Sequence, residues 1–327
     1  MSIHSVEELF TLMNETAIII MGELSCSYLE ALGETGENIF EDAILQKEIS
    51  ELSTRKLKNY YQKLNMDKYK QEEIRKAFQL CILKGMQENI QPNHQMTPDS
   101  IGMLVGYFVQ KYMTGSSIRI LDPAIGTGNL LATVINQNEN KQISGYGVDI
   151  DDLLIKLAYI NANLLTHSVE LFCQDSLERL FIDPVDAVIS DLPVGYYPND
   201  IRAADYILHS KIGHSFAHYL FIEQSISHVK NGGFLFLIIP NGLFEGEQAN
   251  GLQQYLKEHA VIHGLLQLPL SMFKNKNAAK SLLILQKKGI ETKQPKQVLL
   301  VDMPSFSNKN EMEKIFVKID KWFKENY

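Results

Sequence analysis

After residue 97, seven short apolar runs alternate with helical segments: IRIL (118 to 121), YGVDI (146 to 150), VELF (169 to 172), DAVIS (186 to 190), FLFLII (234 to 239), GLLQL (264 to 268) and SLLIL (281 to 285). A further run, VLLV (298 to 301), precedes a last helix near Lys314 to Lys324. Apolar runs of strand length between helices predict an open, mostly parallel α/β sheet with helices on both faces. In such sheets ligands sit outside the carboxyl ends of the strands. The first four runs each deliver an acid there: Asp122, Asp149, Asp175 and Asp191.

The stretch ILDPAIGTGNLL (120 to 131) reads as strand, Gly-rich turn, helix. Gly126 and Gly128 let the backbone turn tightly and approach a ligand without a Cβ in the way, and the helix that follows presents N–H groups to an electron-rich ligand. A phosphate-cradling loop needs a Gly-Lys-Ser/Thr ending, which is missing. A dinucleotide turn wants a third Gly, where Leu131 stands. Asp122 beneath the turn would repel a pyrophosphate and suits a ligand carrying an amino group. Asp149 ends the next strand, where a carboxylate accepts ribose hydroxyls. Asp175 and Ser176 follow the third strand, where an Asp accepts from an adenine amino group. Thr97-Pro98 opens a helix able to hold a carboxylate at its N–H groups. Amino group, carboxylate, ribose and adenine together describe S-adenosylmethionine (SAM).

On these motifs, QMTP, DPAIGTGNLL, GVDID, QDSL, NGGFLFLIIPNGLF and LLQLPLSMF, the chain resembles the class I SAM-dependent methyltransferases of the N6-adenine DNA methylase family. It is similar above all to the modification subunit of type I restriction systems and to stand-alone YtxK-like members of Gram-positive bacteria. The match runs in order from about His94 to Lys288. The resemblance implies a Rossmann-like α/β fold with a mixed, mostly parallel seven-stranded sheet, plus an amino-terminal helical domain. It implies cofactor contacts from Thr97, Asp122, Pro123, Ala124, Gly126, Thr127, Gly128, Asn129, Asp149, Ile150, Asp175 and Ser176, with Ile150 packing on the adenine.

SDLPVGYYP (190 to 198) stands where the family carries Asn or Asp, Pro, Pro and an aromatic. An exocyclic amine is a poor nucleophile because its lone pair is delocalised into the ring. An acidic or amide side chain and the next backbone carbonyl accept its two hydrogens and turn the lone pair toward the methyl donor; an aromatic stacks on the flipped base. Asp191 keeps the acceptor, Leu192 offers its carbonyl and Pro193 keeps the second Pro. Val194 does not stack as an aromatic does, and Tyr196 and Tyr197 are out of register. Asp191, Leu192, Pro193 and Val194 are the candidate catalytic loop. Tyr196, Phe273, Lys274 and Lys276 are candidate substrate contacts, with a core role for Phe273 equally open. The basic stretch 269 to 288, with Lys280, Lys287 and Lys288, would meet phosphates or lie solvated.

Three readings stay open: an N-methyltransferase acting on DNA, the same chemistry on RNA or a protein side-chain amide, and a SAM-binding or assembly protein without catalysis. The net charge of −8 argues against strong unaided DNA binding. A nucleic-acid partner, DNA before RNA, would then be gripped with the help of a specificity protein, as in the type I systems. The oligomeric state is not legible.

Residues 1–93 read as a helical domain and 94–327 as the catalytic domain. Ser5 and Glu8 look like a capping box, GETGEN (33 to 38) a loop, and QPNHQ (91 to 95) a linker. His209, His214, His218 and Glu223 have metal-ligating side chains, but the expectation is no metal. The three cysteines form no CxxC pair, Cys173 is expected in the core, and no signal peptide or membrane span is legible. A cytoplasmic location is expected.

Overall fold

The structure, a computed structural model, describes residues 2–88, 96–246, 248–290 and 292–327. Four helices come first: α1 (Ile3–Leu24), α2 (Tyr28–Phe40), α3 (Glu51–Tyr61) and α4 (Gln71–Glu88). There follow α5 (Asp99–Tyr112), β1 (Ser117–Asp122), α6 (Asn129–Gln137), β2 (Gln142–Asp149), α7 (Asp152–Leu164), β3 (Val169–Cys173) and β4 (Val185–Asp191). The chain ends with α8 (Asp200–Ala203), α9 (Ala217–His228), β5 (Val229–Pro240), α10 (Ala249–His259), β6 (Ala260–Gln267), β7 (Lys280–Lys287), β8 (Leu299–Asp302) and α11 (Lys309–Asn326). The strands form one eight-stranded sheet in the order β3-β2-β1-β4-β5-β7-β6-β8. That is the expected mixed, mostly parallel architecture with one strand more: the VLLV run adds β8 parallel to β6. The linker reading of 91 to 95 lies outside the described residues.

The chain divides into two compact units, the first made of residues 1–102, 125–140 and 147–174, the second of the rest. In the first, the apolar faces of α1, α2 and α4 (Leu9, Met13, Ile20, Leu32, Phe78, Ile82) form one core with Ala132 of α6 and Leu157, Ile160 and Leu164 of α7. Burial pushes the Cys81 thiol in this core up to about 12. Three expectations are corrected here. The cap of α1 is Ser2, whose hydroxyl accepts from Ser5 N–H, because the helix starts before Ser5. GETGEN is not a loop but the middle of α2: Gly33 and Gly36 are buried where α2 meets α7, and a Cβ on Gly36 would come within 2.2 Å of Ile160 Cγ2. Two glycines three apart on one helical face permit close backbone approach. Cys173 is exposed, at the end of the edge strand β3.

In the second unit, β1, β4 and β5 run parallel, and β7 lies antiparallel between β5 and β6. Strand β4 is buried almost throughout, and β5 is buried along residues 234–239, as central strands covered on both faces must be. Tyr112, Phe234, His263, Phe323 and Tyr327 form an aromatic cluster around Tyr112. Among the described residues no single helix is long and apolar enough to cross a membrane; the bent pair α1 and α2 meets that test by length and composition together.

Candidate functional site

In the first unit the Gly-rich turn runs from Ile125 into α6. Gly126 and Gly128 hold positive φ angles of 54° and 75°, which a Cβ would strain. Asp149, at the end of β2, accepts from Gly126 N–H at 2.9 Å through one oxygen and from Asp151 N–H at 3.1 Å through the other. Ile125 N–H donates to the Val148 carbonyl. The turn is thus pinned to the strand end that carries the expected ribose acceptor. Ile150, next along, is 72% exposed, an apolar side chain left in the open. Space for a Cβ on Gly126 is clear of other atoms for 4 Å. An open glycine face, a carboxylate and a bare apolar side chain fit a nucleoside with a charged tail.

A group that sequence reasoning missed stands behind this turn. Asn129 opens α6; its amide donates to the Thr97 carbonyl at 2.9 Å and to Asp99 at 3.2 Å. Its oxygen accepts from Arg75 at 2.6 Å. Arg75, on α4, is 1% exposed and also donates to both oxygens of Glu72 and of Asp99. Gln79 and Lys76 of the same helix reach Asp99 too. The only sequence signal was an Arg among many Lys and Glu on a helix, which reads as a solvated face.

In the second unit, Asp122 ends β1 and is buried. Its Oδ1 accepts from Ala124 N–H at 3.1 Å and from the Ser190 hydroxyl at 2.8 Å. Ser176 donates to the Pro123 carbonyl. Asp175 accepts from Leu177 N–H at 2.9 Å and from the Tyr197 hydroxyl at 2.5 Å. Burial, and then the Asp175 carboxylate, push the Tyr197 phenol well above the usual range, so it stays a donor. Tyr197, out of register for stacking, lies beside Asp175 instead.

The loop after β4 keeps the expected acceptor and adds a cation. Leu192 N–H is spent on the Ile238 carbonyl at 3.1 Å and its side chain is buried. Asp191 Oδ1 accepts from Lys280 Nζ at 2.5 Å, both side chains being mostly buried. Asp191 pairs with Ile238 of β5, and Lys280 stands opposite Pro240 of the same strand, so the ion pair reaches across β5. Val194 is 53% and Tyr196 63% exposed; the Tyr196 ring lies on Phe216, with centroids 4.5 Å apart. Gly195 takes a φ of 134°, closed to most side chains. Phe273 is half-buried, and Lys274 and Lys276 are exposed. The rest of the basic stretch does not gather there: Lys287 and Lys288 cap backbone carbonyls of Val229 and Lys257.

The histidines do other work. His214 pairs with Asp200, His209 with the Tyr206 carbonyl, and Glu223 accepts from Ile207 and Leu208 N–H. Burial lowers His218 to about 4. Among the described residues no group of three or more His, Cys, Asp or Glu could hold a metal.

Comparison with known proteins agrees with this architecture. Residues 7–86 match the YtxK N-terminal helical domain, and residues 87–325 match the N-6 DNA Methylase family. The uncharacterised protein YtxK of Bacillus subtilis (strain 168) is 51% identical over 98% of each chain. A solved candidate class I SAM-dependent methyltransferase from Listeria monocytogenes is 45% identical, covers 98% of this chain and 100% of its own, and superposes with a TM-score of 0.92. The type I restriction-modification methyltransferase subunit from Streptococcus thermophilus shares the fold, with a TM-score of 0.66 at 18% identity over 96% of this chain and 74% of its own. With its second match covering most of its length, the chain belongs to the N-6 DNA methylase family.

Proposed function

We propose that the chain is a SAM-dependent N-methyltransferase whose acceptor is the exocyclic amine of adenine in nucleic acid, DNA before RNA, engaged together with a specificity partner. The observation that carries this reading is Asp191, a mostly buried carboxylate at the carboxyl end of β4, followed by Leu192 and Pro193 in a loop fixed to β5. Residues 1–93 would form the helical domain and 94–327 the catalytic domain.

When bound, the cofactor supplies an electrophilic methyl group on its sulfonium sulfur. Gly126, Thr127, Gly128 and Asn129 would line its methionine end, with Thr97, Asp122, Pro123 and Ala124. Asp149 would accept the ribose hydroxyls, Ile150 would cover the adenine, and Asp175 and Ser176 would lie at its edge. Asp191 and the Leu192 carbonyl would accept the two hydrogens of the target amine and aim its lone pair; Pro193 would stiffen the loop. The acceleration comes from positioning. Val194 and Tyr196, with Phe273, would flank the base, and Lys274 and Lys276 would meet phosphates.

The test is methyl transfer from radiolabelled SAM into undermethylated DNA, RNA and protein fractions, with Asp191→Ala alongside. Label entering DNA and lost in the variant, with SAM still bound, is the expected result. No label in any fraction from a SAM-binding wild type, even with host extract added to supply a specificity partner, would favour the non-catalytic class.

A further inference from the structure

The Asp191 carboxylate is not set alone at the strand end: the Lys280 amino group is fixed beside it, 2.5 Å away. Lys280 opens β7, which runs opposite to β4 and β5, so its first residue falls at the end of the sheet where β4 finishes. The site therefore presents an anionic acceptor and a cationic donor side by side. A protonated aliphatic amine, such as a lysine side chain or a polyamine, would meet a like charge there, and close like charges disfavour one another.

A neutral conjugated amine meets the opposite situation. In adenine the amine and ring nitrogen N1 share one carbon, and with C–N bonds of about 1.33 Å the two nitrogens lie roughly 2.3 Å apart. One is a donor and the other an acceptor. That spacing and polarity match the Asp191–Lys280 pair. A side-chain amide carries the same polarity. A nucleobase is favoured by the exposed Tyr196 ring backed by Phe216, and by the exposed cations Lys274 and Lys276.

We propose that Lys280 is a specificity-determining residue that donates to N1 of the target adenine while Asp191 accepts from its amine, restricting the site to neutral amidine-type amines. This rests on the nucleic-acid reading above.

The experiment measures equilibrium binding of fluorescent single-stranded oligonucleotides carrying one adenine, one 1-deazaadenine or one abasic site. The proteins are the wild type, Lys280→Met and Lys280→Arg, with thermal melting and SAM affinity as controls for folding. The wild type is expected to prefer adenine over 1-deazaadenine by about tenfold, the scale of one charged hydrogen bond read on a base. Lys280→Met should bind the two alike, and Lys280→Arg should retain the preference. Equal binding of both bases by the wild type, or an undiminished preference in Lys280→Met, overturns the role of Lys280 alone. Binding no tighter than to the abasic strand overturns the nucleobase acceptor and, with it, the underlying reading. Should Lys280→Met fail to fold, loss of the preference in a soluble Lys280→Arg would count against the assignment.

Discussion

The Arg75 guanidinium, on the fourth helix, lies 2.6 Å from the side-chain oxygen of Asn129, the first residue of the helix that follows the Gly-rich turn. Arg75 is fully buried among Glu72, Asp99 and Asn129, and removing it leaves Glu72 without its paired cation and Asp99 with Lys76 alone. Arg75→Met is expected to cost roughly 3–5 kcal/mol of stability in urea denaturation followed by circular dichroism. The same variant should weaken SAM binding in titration calorimetry, because Asn129, which donates to the Thr97 carbonyl, loses its anchor. Unchanged stability would show the network to be dispensable.

Tyr197→Phe removes one hydroxyl whose partner is the Asp175 carboxylate. Hydrogen bonds to charged groups contribute about 1.5–3 kcal/mol, so affinity for S-adenosylhomocysteine should fall on the order of tenfold. The binding isotherm decides it: equal affinities for variant and wild type would remove Asp175 and Tyr197 from the adenine end.

Gly36→Ala separates two effects of opposite sign. On an exposed helix face the change stabilises by about 1 kcal/mol. Against Ile160 at 2.2 Å it overpacks instead, and a cost of about 1–3 kcal/mol is expected. Adding Ile160→Ala should make the alanine at 36 less costly than it is alone, a coupling read from a double-mutant cycle of melting curves. A higher melting temperature for Gly36→Ala would mean that the two helices do not approach this closely.

His218 and His263 are buried, and burial lowers both to about 4. An unfolded histidine titrates near 6.5. Between these values the unfolded chain holds the extra protons, so stability rises with pH across that window and is lost as pH falls below about 6.5. At pH 5 the loss should approach about 2 kcal/mol for each histidine. Thermal melts at pH 7.5 and pH 5 measure it, and His218→Asn should flatten part of the difference.

Much of the sheet and the turn residues could be read from the chain because parallel strands finish at one predictable position, at or just after the end of each apolar run. Asp122, Asp149, Asp175 and Asp191 all follow that rule. Lys280 escaped it because its strand is antiparallel and offers its amino end to the same edge. Arg75 escaped because polar periodicity on a helix does not say whether the polar face meets water or a buried carboxylate. GETGEN misled because two glycines signal a turn locally, whereas their value here lies in contact with a helix more than a hundred residues away in sequence. Cys173 misled because an apolar run does not reveal that its strand stands at an edge.

The shared core of the first unit has a bearing on how this family can be taken apart. Leu9, Met13 and Phe78 pack in one body with Leu157 and Ile160, so the wall behind the Gly-rich turn is built largely from the first ninety residues. A fragment trimmed to the methylase-like segment would expose that wall to solvent. The amino-terminal helices are thus a foundation of the Gly-rich turn, and any exchange of them for another module must replace an apolar surface and the socket for a guanidinium together.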